Sequence, residues 1–512
     1  MEQAAQYINK PNPSKQDLAS AQQCYTQILS AQPTHGQAWY GLGYIAQLTE
    51  DWPNAVAHFQ QACQYLASQP QPLLGLANAF NQVFSETDAL TVLEYAQQQC
   101  PKDESVRYAL AQQYLILGNI AKTVPLLKLL LTSANPDLFA FACLDMAKIN
   151  IQQLLPGHLE RAKQFIDGHP NNNASIRLHY ALGLHAKHNK QYTTAMTHWD
   201  ATNALQFAQC DFTVDDMASL FDALQTVDES ISSINAPTVA DDMTQPDLAS
   251  PYTSLPFTPV FIVGLPRTGS SLLDKQLCDL STSSQRIDSV GEVDYIASQC
   301  ARMIEQHTGY AYPTCLDHIS DELLQAARKR YIDAIGQHRI DADYIIDKLP
   351  ANFQSLPLIY RLFPEAKVLH ITRDQAATAL SIYSNDFGVT EPYFCNLVQM
   401  QQYFTLYTAV MRHFSALYGA NLYTLRYENL VADPQVQLKL VSDYLEMNHK
   451  TTDNLVNGAV VNNDGTDENA EKHNAQSQRV IKTLSAIQAR QPIYQSSAQI
   501  PDELRLYFLK FK

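Results

Sequence analysis

A hydrophobic strand-like run, a glycine-bounded loop and the start of a helix follow one another over residues 259–273. Backbone N–H groups of such a loop, together with the positive end of the following helix, can cradle a phosphate. Gly264 and Gly269 keep the spacing of the loop of nucleotide triphosphatases, but Ser270 stands where those enzymes need a Lys. A cation appears earlier, at Arg267. The segment therefore predicts an anion site and argues against ATP hydrolysis or ordinary kinase chemistry.

Two later segments place cations at the ends of predicted strands. Lys348 follows one hydrophobic run, and Arg373 follows the next. Open α/β sheets bind ligands at the carboxyl ends of their strands, which favours a functional role for Lys348. Arg offers a planar fork of donors to phosphate, and Ser381, on a predicted helix eight residues later, can complete a phosphate clamp.

The loop has the sequence Pro266-Arg-Thr-Gly-Ser-Ser271. It resembles the 5′-phosphosulfate loop of sulfotransferases, whose sulfonate donor is 3′-phosphoadenosine 5′-phosphosulfate (PAPS). The resemblance covers about residues 257–512 in five ordered segments. It is nearest to protein-tyrosine sulfotransferases and to bacterial sulfotransferases linked to tetratricopeptide (TPR) repeats. The donor-binding residues that it implies here are Pro266, Arg267, Thr268, Gly269, Ser270, Ser271, Arg373, Ser381 and Tyr427.

The same resemblance implies two catalytic residues. Glu292 matches the general base that takes the proton of the acceptor hydroxyl, and Lys348 matches the lysine near the bridging oxygen of PAPS. General-base assistance is typically worth ~10²–10⁴ in rate, and an ammonium group stabilises the charge that grows on the leaving phosphate. The alternative for Glu292 is a helix-capping or solvated carboxylate. No metal is expected to take part.

The C-terminal tail resembles a T-x-S-x-x-Q-x-R-x-P-I-Y segment of the bacterial TPR-linked enzymes. The resemblance implies that Thr483, Ser485, Gln488 and Arg490 close over the nucleotide. One departure concerns the run after Arg373, which lacks the Pro and the second Arg of the common R-D-P-R pattern. We expect this departure to remove one basic contact and to leave phosphate binding intact.

The first two hundred residues carry a repeat. Leu42-Gly43, Leu76-Ala77 and Leu110-Ala111 recur every 34 residues, which is the TPR period, and Leu182-Gly183 restarts the pattern. The spacing predicts stacked helix pairs that form a solenoid with a concave surface. That surface could hold a peptide or protein. The alternative is a solenoid that only supports the catalytic part or makes a homodimer.

The predicted fold class is therefore α and α/β, in three parts. Residues 1–205 are expected to form TPR helical repeats, 206–256 a helix and linker, and 257–512 a P-loop-like sulfotransferase domain with a short parallel sheet. The 512 residues carry a formal charge of −16, which argues against a nucleic-acid binder. The sequence shows neither a long apolar run nor a leader pattern, and its nine cysteines are dispersed, so we expect no membrane span and a cytoplasmic location.

The sequence thus predicts transfer of a sulfonate from PAPS to an acceptor hydroxyl, with 3′-phosphoadenosine 5′-phosphate (PAP) released. The expected acceptor is of the tyrosine type, on a peptide or protein. A carbohydrate or small-metabolite acceptor is the alternative within the same enzyme class. A TPR scaffold whose second domain binds nucleotide without catalysis is the alternative outside it.

Overall fold

The structure is a computed structural model and describes residues 1–8, 10, 13–227, 255–282, 284–336, 338, 341–388, 391–447 and 500–511. The chain divides into two compact units, whose described residues fall within Met1–Ala174 and from Ser175 onward. Most of the expected linker and the four tail residues Thr483, Ser485, Gln488 and Arg490 lie outside the described residues.

The first unit is helical. Its helices are α1 Glu2–Ile8, α2 Lys15–Ala31, α3 Gly36–Leu48, α4 Trp52–Tyr65, α5 Pro70–Gln82, α6 Glu86–Gln99, α7 Glu104–Ile116, α8 Ile120–Leu130, α9 Pro136–Ile149 and α10 Pro156–Gly168. Several begin where a short polar side chain accepts a hydrogen bond from a backbone N–H of the first turn, as at Asp51, Asp103 and Asn135.

The spacing of small and large residues in the repeat has a packing reason. Phe59 of α4 is buried against Gly43 of α3 and Gly75 of α5. A Cβ atom at Gly43 would lie 2.6 Å from Phe59 Cδ1, and one at Gly75 would lie 2.8 Å from Phe59 Cε1. Neighbouring helices therefore approach closely only because small residues face a large ring at these positions.

The second unit begins with two more helices of the same kind and a short one. These are α11 Asn173–His188, α12 Tyr192–Phe207 and α13 Ala218–Gln225. Gly183 of α11 lies against the buried Trp199 of α12, and a Cβ atom at Gly183 would come within 2.3 Å of Trp199 Nε1. The last Leu-Gly pair of the sequence repeat thus marks a close helix contact, as Gly43 does.

The rest of the second unit is built around a parallel sheet. Its strands are β1 Thr258–Gly264, β2 Ile287–Gly291, β3 Tyr344–Asp347, β4 Lys367–Thr372 and β5 Leu422–Arg426, in the order β2-β3-β1-β4-β5. All neighbouring pairs run parallel. β1 is buried along almost its whole length, which explains its continuous hydrophobic run.

Helices cover the sheet and connect its strands. They are α14 Ser270–Asp279, α15 Arg302–Thr308, α16 Asp321–Gly336, α17 Leu356–Leu362, α18 Gln375–Tyr383, α19 Pro392–Cys395, α20 Leu397–Tyr418, α21 Tyr427–Ala432, α22 Pro434–Tyr444 and α23 Asp502–Arg505. Shorter 3₁₀ or π turns lie at Ile151–Gln153, Val214–Met217, Ile296–Ala301, Thr314–His318, Pro350–Ser355, Gly419–Asn421 and Leu506–Phe508.

The core of this part joins the sheet to α14 and α22. Ile262 and Ile371 of the central strands pack with Leu273 and Leu277 of α14 and with Val441 of α22. Each such side chain contributes about 1.5–3 kcal/mol by its burial. Because β1 lies between β3 and β4, this core fixes the segments that follow these three strands beside one another at the carboxyl edge of the sheet.

Within the described ranges, none of the helices combines the length and the apolar character that crossing a membrane requires.

Candidate active site

The loop after β1 is shaped by three residues with positive φ. Gly264 has φ 153°, and a Cβ atom there would lie 2.5 Å from the carbonyl oxygen of Ile371 in β4. Arg267 has φ 68°, a left-handed conformation that costs free energy in a residue with a side chain. Gly269, with φ 102°, precedes α14 and touches the ring of Tyr427. These conformations turn the chain tightly into the amino end of a helix, where backbone N–H groups can bind an anion.

Arg267 and Arg373 lie side by side at this loop. Arg267 is only 7% exposed, and its Nε donates a hydrogen bond to Ser381 Oγ at 3.0 Å. Arg373 Nη1 donates to the carbonyl oxygen of Arg267 at 2.9 Å, and its guanidinium group lies over the Tyr427 ring, 4.8 Å from the centroid. Burial and the nearby Arg373 lower the pKa of Arg267 to about 10. Four predicted residues, from three segments of the sequence, thus meet around one cationic centre.

The hydroxyl groups of the loop divide into two kinds. Thr268 Oγ1 donates to the carbonyl oxygen of Leu265 at 2.7 Å, so it holds the shape of the loop. Ser270 and Ser271 are buried in the first turn of α14 and line a cavity together with Pro266. A ligand in that cavity would meet the two serine hydroxyls rather than that of Thr268.

Lys348 and Glu292 form an ion pair beside the loop. Lys348 follows β3 and is 1% exposed, whereas the side chain of Glu292, which follows β2, is 33% exposed. The neighbouring strands bring them together, since the backbone N–H of Lys348 donates to the carbonyl oxygen of Gly291 at 2.9 Å. Lys348 Nζ also donates to Ser271 Oγ at 3.4 Å. The predicted base and the predicted cation therefore contact each other and the anion loop.

Asp347, the last residue of β3, belongs to no motif that the sequence offered as a site. It is 1% exposed and accepts hydrogen bonds from Tyr331 Oη at 2.9 Å and Asn352 Nδ2 at 3.0 Å. Burial raises the pKa of Asp347 to about 8. Burial therefore disfavours the charged form of this carboxyl, and the ammonium group of the adjacent Lys348 pairs with Glu292 instead. Its sequence signal was an acid inside an otherwise apolar strand.

The cavity lined by Ser270 and Ser271 has a volume of about 190 Å³ and also reaches Glu292. Its walls combine loop residues with a group of aromatic rings, and it is lined by Gly264, Pro266, Arg267, Ser270, Ser271, Glu292, Leu349, Pro350, Ala351, Phe353, Phe387, Tyr393, Phe394 and Tyr403. We call this space the aromatic chamber. No sequence motif singled out its rings, although four aromatic residues from Tyr383 to Phe394 were a usable signal.

Four rings of the aromatic chamber stack in two pairs. Tyr393 stacks on Tyr403 with centroids 3.7 Å apart and planes 4° apart, and Phe387 stacks on Phe394 at 4.3 Å. Tyr403 belongs to α20, and the other three rings lie in or next to α19. Stacked rings present flat apolar surface with few hydrogen-bonding atoms. The chamber therefore suits a flat apolar group whose polar atom points towards Glu292.

The described part of the chain holds no cluster of three or more acidic, histidine or cysteine side chains that could bind a metal ion. The arrangement present is one cavity whose walls combine the anion loop with aromatic rings, and Glu292 of the carboxylate–ammonium pair also lines it. Such a site can hold a phosphorylated donor and deliver a group from it to a hydroxyl in the chamber.

Comparison with known proteins finds a family match over part of the chain. Residues 259–451 match the family described as the Sulfotransferase family. This segment contains the anion loop, both members of the ion pair, both arginines and the aromatic chamber.

One curated relative is an uncharacterised protein of Aquifex aeolicus (strain VF5), 25% identical over 250 residues. The match covers 47% of this chain, and the chain spans 30% of the length of that relative. Solved structures with similarity include the sulfotransferase domain from the curacin biosynthetic pathway, at 16% identity and TM-score 0.29, covering 51% of this chain and 99% of that one. Sulfotransferase STF9 from Mycobacterium avium matches at 12% identity and TM-score 0.27, covering 59% of this chain and 88% of that one.

Proposed function

We propose that this protein transfers the sulfonate group of PAPS to a tyrosine-type hydroxyl on a peptide or protein and releases PAP. The observation that carries the proposal is the position of Lys348, which is buried and contacts both Ser271 of the anion loop and Glu292. One ammonium group can thus act on a leaving phosphate in the loop while its partner carboxylate faces the acceptor.

The donor would lie along the loop, with its two ends held differently. The 5′-phosphosulfate would bind the backbone N–H groups and the hydroxyls of Ser270 and Ser271. The 3′-phosphate would bind Arg373 and Ser381, next to Arg267. The hydrogen bond between Arg267 and Ser381 supports this division, because it places a hydroxyl and two guanidinium groups where a dianion can bridge them.

The reaction would be an in-line transfer. The acceptor oxygen attacks sulfur, its bond to sulfur forms, and the bond from sulfur to the bridging oxygen of the 5′-phosphate breaks. Glu292 takes the proton of the acceptor hydroxyl, and Lys348 balances the negative charge that develops on the leaving phosphate. PAP leaves with the electron pair of the broken bond.

The aromatic chamber supports a phenolic acceptor over a sugar. A phenol buries its flat ring against Phe394 and Tyr393 and directs its single hydroxyl towards Glu292. A sugar ring would place several hydroxyls against the same apolar walls, where they would lack hydrogen-bond partners. We therefore expect Phe394→Ala to raise the KM for a phenolic acceptor about tenfold while PAP affinity stays unchanged.

We further propose that the helical repeats are TPR repeats that hold the peptide around the acceptor tyrosine. The packing of Phe59 between Gly43 and Gly75 supports a repeat of this kind. Measuring KM for a tyrosine peptide and for an N-acetylated tyrosine amide tests the role. A much lower KM for the peptide is expected, and equal values would leave the repeats with a supporting role only.

The donor assignment is tested first by thermal-shift titration with PAP, ADP and Mg-ATP on the intact protein. A ligand at a hundredfold excess over its Kd adds about 2.7 kcal/mol of stability. Selective stabilisation by PAP, lost in Arg373→Ala, is the expected result, and Arg330→Ala, which removes an exposed arginine, is the control. Equal stabilisation by Mg-ATP, or none by PAP, would contradict the proposal.

The acceptor assignment is tested by mass spectrometry of products from a mixed panel of tyrosine peptides, simple phenols and carbohydrates. Modification of a peptide on tyrosine, abolished in Glu292→Gln, is expected. If only carbohydrates are modified, the proposed acceptor class is wrong, whereas the donor assignment stands. Turnover that survives in Glu292→Gln and Lys348→Ala would contradict the catalytic roles of this pair.

A further inference from the structure

One side of helix α12 holds the end of α18 by polar side chains. Asp200, Asn203 and Gln206 follow one another at intervals of three residues, which places them along one side of the helix. Asp200 accepts a hydrogen bond from the hydroxyl of Tyr383 at 2.8 Å, and Asn203 Nδ2 donates to the carbonyl oxygen of Tyr383 at 2.8 Å. Gln206 Nε2 donates to Asp386, just beyond α18, at 2.7 Å. Both helices belong to the same compact unit, so these contacts are part of its own fold.

The side-chain amide of Gln206 is held from both ends. The residue is 3% exposed, and its Oε1 accepts a hydrogen bond from the hydroxyl of the buried Tyr180 at 2.8 Å. Because a carboxylate can only accept hydrogen bonds, Nε2 is the atom that faces Asp386. Water cannot reach a buried amide to replace a lost partner, so both contacts are costly to break. Gln206 is therefore a fixed donor to Asp386.

Asp386 shapes the turn that carries one ring of the aromatic chamber. Its Oδ1 accepts hydrogen bonds both from Gln206 and from the backbone N–H of Gly388, at 2.7 and 3.1 Å. Gly388 has φ 74°, which glycine adopts without strain. Phe387 stands between these two residues, lines the cavity and stacks on Phe394 at 4.3 Å. Gln206 thus binds the residue next to a ring on the wall of the chamber.

We propose that Gln206 is a positioning residue for the acceptor, because through Asp386 it fixes the place of Phe387 on the wall of the aromatic chamber. The inference rests on the proposed function, since it concerns the phenolic acceptor of that reaction. It adds a residue that lies outside the segment 259–451 that matches the family. In the part of the chain that the structure describes, neither Gln206 nor Asp386 forms a hydrogen bond with a proposed donor-binding residue. The effect is therefore expected on the acceptor and not on PAP.

Gln206→Glu tests the proposal with a side chain of the same shape. The carboxylate can still accept from Tyr180, but an oxygen takes the place of the Nε2 donor and faces Asp386. Two charged carboxylates at this distance repel each other, so the turn that carries Phe387 should shift. We expect the KM for an N-acetylated tyrosine amide to rise about tenfold, while the Kd of PAP, measured by calorimetric titration, stays unchanged.

The double variant Gln206→Glu with Asp386→Asn allows the hydrogen bond to form again with donor and acceptor exchanged. Its KM should recover most of the loss. Asp386→Asn alone keeps an amide oxygen for the donors of Gln206 and Gly388, so it should raise the KM less than Gln206→Glu does. Gln209→Glu is the matched control, because it makes the same substitution at an exposed position just after α12. Its KM should equal that of the wild type.

An acceptor KM that stays unchanged in Gln206→Glu, or that rises equally in Gln209→Glu, would overturn the inference. A double variant as impaired as Gln206→Glu, or a matching loss of PAP affinity, would overturn it too. A merely structural role predicts a different result, because loss of folded protein lowers the apparent kcat and leaves KM as it was. A wild type that modifies no phenol would overturn the proposed acceptor class and the inference with it, so the two failures are distinguishable.

Discussion

Arg373 donates a hydrogen bond from Nη1 to the carbonyl oxygen of Arg267, at 2.9 Å, across 106 residues of sequence. The residue that follows the fourth strand thus supports the loop that follows the first. The Arg267 side chain, in turn, donates to Ser381 on the helix after Arg373. Hydrogen bonds therefore connect the two ends of the proposed donor site, and we expect a substitution at one end to alter ligand binding at the other.

Arg373→Lys is expected to weaken PAP binding although it keeps the positive charge. A lysine cannot both donate to the carbonyl of Arg267 and lie flat over Tyr427, as the guanidinium does. Loss of one hydrogen bond to a charged group corresponds to about 1.5–3 kcal/mol, or at least a tenfold rise in Kd. Calorimetric titration with PAP measures it. Unchanged affinity would mean that charge alone matters at this position.

The pair of Lys348 and Glu292 should respond unequally to loss of either member. Glu292→Gln leaves a buried ammonium without its counter-charge, so we expect a loss of about 1–3 kcal/mol in the free energy of unfolding. Lys348→Met leaves a carboxylate that water can reach, and it should cost less. Urea denaturation of both variants and of the double variant provides the comparison. Equal losses for the two single variants would contradict this asymmetry.

The control for this prediction is the surface pair of Lys367 and Glu446, in which the glutamate is 77% exposed. Lys367→Met and Glu446→Gln should each change the stability by less than about 1 kcal/mol. A loss in the control as large as that in Glu292→Gln would indicate a general charge effect rather than the burial of Lys348.

Gly269→Ala should disrupt the anion loop. The added Cβ atom would lie 2.3 Å from Tyr427 Cδ2, and φ of 102° is strained for any residue with a side chain. We expect a loss of stability of about 1–3 kcal/mol together with loss of PAP binding, measured by denaturation and by titration. Gly291→Ala is the matched control, since it also has positive φ but meets no atom within 4 Å. PAP binding that survives in Gly269→Ala would contradict a cradle of backbone N–H groups.

Asp347 predicts a pH dependence of stability. Its pKa is about 8 in the folded chain and is taken as 3.8 when unperturbed. A raised folded pKa means that the contribution of Asp347 to stability is fully present below about pH 4 and is lost as the pH rises through about 8. Asp347→Asn does not titrate, so the wild type should lose stability relative to it across this window. Thermal unfolding of both proteins from pH 4 to 8.5 measures the difference.

Asp341→Asn is the control of opposite sign. The hydrogen bonds and charge of Arg286 hold the pKa of Asp341 below its usual value, so its contribution is present above that value and is lost as the pH falls further. For this control the scan is extended down to about pH 2. The effect should be small because the pair is exposed. A constant difference between the wild type and Asp347→Asn across the whole range would contradict the raised pKa of Asp347.

The residues of the candidate site that could be predicted from the sequence are those that belong to short, continuous motifs. The anion loop, Glu292, Lys348 and Arg373 each stand next to a strand, and the strand pattern indicates which edge of the sheet they reach. A parallel sheet and a helical first half were predicted from the same kind of local signal. The contact between Lys348 and Glu292, in contrast, depends on the pairing of β2 with β3, and local sequence patterns do not reveal which strands pair.

The aromatic chamber and the state of Asp347 could not be predicted in this way. Tyr403 reaches the chamber from the long helix α20, and Tyr331, which donates to Asp347, comes from α16. Aromatic residues on helices are usually core residues, so only the fold separates a ring that lines a cavity from one that fills a core. The pKa of Asp347 likewise depends on burial, which no run of residues around it specifies.

The contact between Lys348 and Glu292 also bears on the order in which substrates bind. Glu292 accepts a hydrogen bond from Lys348 Nζ, so a phenol that arrives first would find the carboxylate engaged. An incoming phosphosulfate competes for Lys348 and so releases Glu292 to accept a proton. Steady-state kinetics should therefore follow a compulsory order, donor before acceptor, with PAP as the last product to leave.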